Sequence, residues 1–153
     1  MTTQPLEIQY TQIVDSQQDF KKILNNSATL PVMEKIKLGK LGEICAENFL
    51  LSQNYTILQK NFHSRFGEID IIALYENELI FVEVKTRTSL CFGTPQEAVN
   101  YQKCRKILKT GLCFLNSSTK KYRSNLRIDV IAVELDRNCK LKNISHFKNI
   151  IDG

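Results

Sequence analysis

The sequence predicts an α/β domain, a mixed β-sheet covered by helices, and three observations carry that expectation. An apolar 3.6-residue period runs through "EKIKLGKLGEICAENFLLSQ", Glu34 to Gln53. Two apolar runs then flank a short polar turn in "GEIDIIALYENELIFVEVKTR", Gly67 to Arg87. A second helical pattern separates that hairpin from a further apolar run, "LRIDVIAVELD". Strands that resume after a helix imply a sheet with helices packed on it.

The 153 residues suit one domain with room for a core. We expect residues 1–33, polar and Gln/Asn-rich, to form a partly mobile N-terminal extension, and 34–153 to form the domain. The first helix carries Leu38, Leu41, Cys45 and Phe49 on one stripe. Gly39, Gly42 and Ala46 make a smaller row suited to close packing, since each glycine costs a helix about 1 kcal/mol. "YTILQKNF" reads as the first strand, and the hairpin supplies the next two.

In "FGTPQE", Thr94, Pro95 and Glu97 spell an N-cap, a first helical position and a capping box. That helix is expected to run to about Leu115, with Tyr101, Cys104, Leu108, Gly111 and Leu115 along one face, Ile107 and Phe114 beside it, and Lys103, Lys106 and Lys109 turned largely away. A basic loop, "NSSTKKYRSN", leads to the fourth strand, and "NISHFKNI" offers a short edge element.

No apolar run approaches the ~20 residues of a membrane span, and the N-terminus lacks a secretory pattern. Five cysteines without a CxxC pair argue against a disulfide framework or a zinc site, so a reducing cytoplasm is expected. The net charge of +5 and pI near 9.0 permit a polyanionic partner without requiring one. Between Tyr101 and Arg127 there is no acidic residue, while Lys103, Lys106, Lys120, Lys121 and Arg123 all fall there. As a group they are candidates for nucleic-acid phosphate contacts.

The hairpin holds the chemistry. Strand side chains alternate faces, so Ile69, Ile71, Val82 and Val84 can fill a core while Asp70, Glu83 and Lys85 meet on the opposite side. Two carboxylates brought together repel unless a proton or a cation intervenes. A divalent ion such as Mg²⁺ or Mn²⁺ resolves this, with Asp70, Glu83 and the Val84 carbonyl as plausible ligands. Such an ion activates water and polarises a phosphoryl oxygen, and Lys85 could neutralise the charge that develops. An exposed ion pair of Glu83 with Lys85 on a solvated face explains the same residues. Composition leaves both readings open.

The segments "GKLGEICAENFL", "YTILQKNF", "RFGEIDIIA", "LIFVEVKTR", "FGTPQEAV" and "KCRKI" together resemble the YraN-like family of predicted endonucleases. That family is similar to archaeal Holliday-junction resolvases and to the restriction-endonuclease-like PD-(D/E)xK fold. The resemblance spans about Lys35 to Leu135. It implies a metal-dependent endonuclease acting on DNA, with branched or damaged DNA as candidate substrates and Glu43, Asp70, Glu83 and Lys85 as catalytic residues. It also implies a homodimer. The sequence departs from the family pattern at His63, often arginine there, and at Asn54, usually glycine. The alternative expectation is a module of the same fold that binds nucleic acid without cutting it.

Overall fold

A computed structural model describes residues 31–88, 100–119, 122, 125–136 and 138–150; for 31–36 only the backbone is described. Nearly all of the expected N-terminal extension lies outside these residues. So do Thr94, Pro95 and Glu97 of the expected capping box, and three of the basic candidates, Lys120, Lys121 and Arg123.

Helix α1 (Pro31–Ser52) leads to β1 (Thr56–Ser64), β2 (Gly67–Tyr75) and β3 (Glu78–Thr88). Helix α2 (Tyr101–Ser117) follows, then β4 (Asn125–Leu135) and β5 (Leu141–Phe147). The five strands lie in sequence order in one sheet. Neighbours pair antiparallel except β3 and β4, which are parallel and joined through α2. The expected mixed sheet flanked by helices is thus the observed fold. Its last edge is a seven-residue strand.

Alternation along the strands builds two cores. On one face Ile71, Ala73, Ile80, Val82, Ile131 and Val133 pack with Cys45, Ala46 and Leu50 of α1. On the other, Ile72, Leu79, Phe81 and Ile128 meet Ile107 and Phe114 of α2. Each large aliphatic buried in this way contributes about 1.5–3 kcal/mol before entropy is counted. The sheet is therefore covered on both sides, which accounts for the near-continuous apolar runs of β2 and β3.

Asn54 ends α1 with φ +64°. The Tyr55 N–H reaches the Leu50 carbonyl and the Asn54 N–H the Leu51 carbonyl, the paired bonds of a Schellman motif. Asparagine serves here because its short polar side chain tolerates the left-handed region. Two glycines set how closely the helices lie on the sheet. A Cβ on Gly42 would stand 1.7 Å from Thr86 Oγ1, and one on Gly111 would stand 2.1 Å from the Phe81 ring. Gly39, expected to share the packing role, has nothing within 4 Å of that position.

The inward face of α2 is rotated from the expected stripe. Ile107, Thr110, Gly111 and Phe114 are buried, whereas Tyr101 is 77% exposed. The described helix begins at Tyr101, where Asn100 is the N-cap and its side chain accepts the Lys103 N–H. Ile69 also departs from its expected face. It joins Phe62 in the α2-side core, and this switch coincides with Asn61, whose φ is +49°.

Candidate active site

The ladder between β2 and β3 runs from Tyr75↔Glu78 to Ile71↔Val82 and ends there. Asp70 would form the next rung, opposite Glu83. Instead its Oδ2 accepts the Val84 N–H at 2.7 Å, so a carboxylate replaces the missing strand partner where β2 and β3 part. Glu83, only 3% exposed, lies beside it on the α2-facing side. Its Oε1 accepts Lys85 Nζ at 2.7 Å. Its Oε2 stands 3.0 Å from Lys103 Nζ, near enough for an ion pair but not aligned as a hydrogen bond.

Helix α1 brings a third carboxylate. The tight approach at Gly42 sets Glu43 over β1, where its Oε2 accepts Asn61 Nδ2 at 3.2 Å. One turn later Glu47 pairs with Lys60 at 2.7 Å, a solvent-exposed contact of small energetic weight. Asn61 falls between the pairs Lys60↔Ile71 and Phe62↔Ile69, which sets it across from Asp70. Glu43 is near enough to push the Asp70 pKa upward.

Burial is the main cause of that shift, and the neighbouring Glu83 adds to it. The Val84 N–H opposes it, Glu43 reinforces it, and Lys103 opposes it; the Asp70 carboxyl ends near 6 instead of its ordinary 3.8. This is the response of a half-buried carboxylate with too little positive charge nearby.

Among the described residues, no three His, Cys, Asp or Glu side chains form a ready-made metal cage. The smaller donor set nevertheless fits a magnesium-like ion. Such an ion is held by one or two carboxylates and keeps several waters. Asp70 and Glu83 supply the carboxylates, and Glu83 Oε2 is a buried oxygen with no hydrogen bond among the described residues. The N–H and C=O of one strand residue face the same edge. The Val84 carbonyl therefore faces the edge from which its N–H meets Asp70.

Of the residues singled out from sequence, the structure brings Glu43, Asp70, Glu83 and Lys85 into one region. Lys103 is relocated, because it faces Glu83 and not outward. The signal was present in the spacing of 103, 107, 110 and 114, which puts this lysine at the end of the buried stripe. Asn61 was missed. An asparagine between Lys60 and Phe62 in a strand is a mild hint, since strands are poor in asparagine and left-handed φ favours it.

Lys106 is exposed beside a cleft of about 340 Å³ that opens next to Lys103 and the Ser64–Gly67 turn. His63 and Glu68 line the same cleft, exposed and 3.4 Å apart. Arg65 and Lys109 lie over the Phe66 ring at 4.7 and 5.5 Å, adding positive charge near its rim.

Residues 42–133, the segment that contains this whole constellation, match the model of Uncharacterised protein family UPF0102. The chain belongs to that family. A UPF0102 protein of Caldanaerobacter subterraneus is 44% identical over 119 residues, 76% of this chain and 96% of its own length. One from Thermodesulfovibrio yellowstonii is 44% identical over 117 residues, covering 76% and 97%. One from Alkaliphilus oremlandii is 45% identical over 114 residues, covering 74% and 96%.

A second polar cluster of this UPF0102 chain lies in its α1-side core. Asp129, fully buried, accepts Arg127 Nε at 2.9 Å and the Asn149 N–H at 2.9 Å, and lies 2.8 Å from His146 Nε2. Arg127 also reaches Glu78 and the Tyr55 hydroxyl. Burial alone would raise the Asp129 pKa, but His146, the Asn149 N–H and Arg127 outweigh it and hold the carboxyl below its ordinary value. With every oxygen engaged, this cluster pins β4 to β5 and to the chain after it. Among the described residues, no helix is long and apolar enough to cross a membrane.

Proposed function

We propose that the chain is a metal-dependent endonuclease of the PD-(D/E)xK type, hydrolysing phosphodiester bonds in DNA. The observation that carries this reading is the pairing of buried Glu83 with Asp70 at the parting of β2 and β3, flanked by Lys85 and Lys103. A purely structural ion pair has no need of a second, half-buried carboxylate whose pKa is driven to about 6.

Asp70 and Glu83, with the Val84 carbonyl, would hold Mg²⁺ or Mn²⁺, and Glu43 would approach it from α1. The bound ion would supply Lewis acidity to the phosphoryl oxygen and to the attacking water. Lys85, anchored on Glu83 Oε1, would offset negative charge on the phosphoryl oxygens. Glu43, held by Asn61, would orient a water. Lys106 and the charged rim near Phe66 would bear on flanking phosphates, contacts that position DNA without reading its sequence. Substrate choice would then rest on DNA geometry, as at branches or lesions. The homodimer implied by the resemblance and a cytoplasmic location belong to the same reading.

The test is a panel of duplex, single-stranded, flap and four-way-junction DNA with Mg²⁺ or Mn²⁺. Cleavage that disappears in Asp70→Ala and Glu83→Ala supports the enzyme. Salt-sensitive binding with no cleavage by the wild type would instead identify a binding module.

A further inference from the structure

Lys103 stands where two features of the fold meet. Its ammonium pairs with Glu83 Oε2, and its side chain also lines the cleft beside Lys106. The lysine comes from α2 and the carboxylate from β3, so the contact bridges two layers. Around it stand three carboxylates, Glu43, Asp70 and Glu83, and two lysines, Lys85 and Lys103. When all five are ionised, one negative charge is in excess. A divalent ion among the carboxylates would turn that into one positive charge in excess.

Of the two lysines, Lys103 is the one that can leave. Lys85 holds Glu83 through an aligned hydrogen bond and lies on the same strand. Lys103 makes an unaligned contact, and its long flexible stem already borders the cleft. Lys106 lies three residues on along α2, on the neighbouring helix surface, so the two lysines together face the cleft. A phosphate there would meet both.

We propose that Lys103 is an exchange cation. In the metal-free protein it occupies Glu83 Oε2 in place of a divalent ion, and when the ion binds it moves to a nucleic-acid phosphate in the adjacent cleft. This rests on the metal-site reading above and adds to it a coupling. The ion and DNA would favour each other's binding, because each draws Lys103 to the same new position.

The experiment titrates Mn²⁺ calorimetrically into the free wild type, Lys103→Gln, Lys103→Arg and Glu83→Gln. Removing the competing charge should tighten Mn²⁺ binding about fivefold in Lys103→Gln, while Lys103→Arg should stay near wild type. Duplex binding, followed by fluorescence anisotropy with Ca²⁺ across a salt series, should weaken in Lys103→Gln and lose about one unit of salt slope. Wild-type Mn²⁺ binding that is lost in Glu83→Gln but unchanged or weaker in Lys103→Gln would overturn the exchange and leave the metal site standing. An unchanged salt slope would overturn it equally. Failure of every protein to bind Mn²⁺ would remove the metal-site reading, and the exchange with it.

Discussion

Asp70 Oδ2 accepts the Val84 N–H at 2.7 Å, a side chain standing where a strand should be. The bond lets β2 leave β3 after Ile71 without stranding a buried amide. It also holds the carboxylate beside Glu83, and the proximity has a cost that pH reveals.

The Asp70 carboxyl titrates near 6 in the folded chain and near its ordinary 3.8 when unfolded. Between those values the folded state holds more protons, so this contribution to stability is complete below about pH 4 and is lost as pH rises through 6. Asp70→Asn keeps an acceptor for Val84 and removes the charge. Thermal melts in EDTA should show the variant more stable by about 2 kcal/mol near pH 8, with the gap closing toward pH 4. A variant less stable than wild type at pH 8 would sink this account.

Asn61 combines a left-handed backbone, φ +49°, with a hydrogen bond to Glu43. The two roles separate by substitution. Asn61→Gly should leave the melting temperature within a few degrees but lower any cleavage rate, since Glu43 loses its anchor. Asn61→Val should destabilise the fold by about 1–3 kcal/mol, because a β-branched residue resists that φ. Equal stability of the two variants would contradict the strain argument.

The same mutation should have opposite signs at two positions of α1. Gly39→Ala meets open space and gains about 0.5–1 kcal/mol of helix propensity. Gly42→Ala drives a methyl into Thr86 and should cost about 1–3 kcal/mol, partly recovered when Thr86→Ala is added. Denaturant midpoints of the four proteins decide it.

Asp129→Ala leaves Arg127 and His146 without their shared buried partner. Loss of one member of such a cluster costs about 3–5 kcal/mol. The Asp129 carboxyl is held below its ordinary value, so its contribution is present above the ordinary carboxylate range and is lost as pH falls through the folded pKa. Chemical denaturation near pH 7 should show the full loss. A cost below about 1 kcal/mol would mean the cluster is not structural.

Alternation in β2 and β3 determined, without any structure, that Ile71 and Val82 share one core and that Glu83 lies opposite them, but it did not foresee Ile69 leaving that core. Local chemistry also allows Asn54, where the resembled family usually has glycine, the left-handed conformation that ends α1. These are effects of near neighbours in the chain, and a period of two or a tight turn is written in a few consecutive residues. Tertiary structure alone decided that Asn61 holds Glu43 and that the β2–β3 ladder stops at Ile71, and it chose Glu83 as the partner of Lys103. The positions of Glu43 and Lys103 depend on the phase at which their helices dock on the sheet. That phase is set by contacts such as Gly42 on Thr86 and Gly111 on Phe81, between residues far apart in the chain.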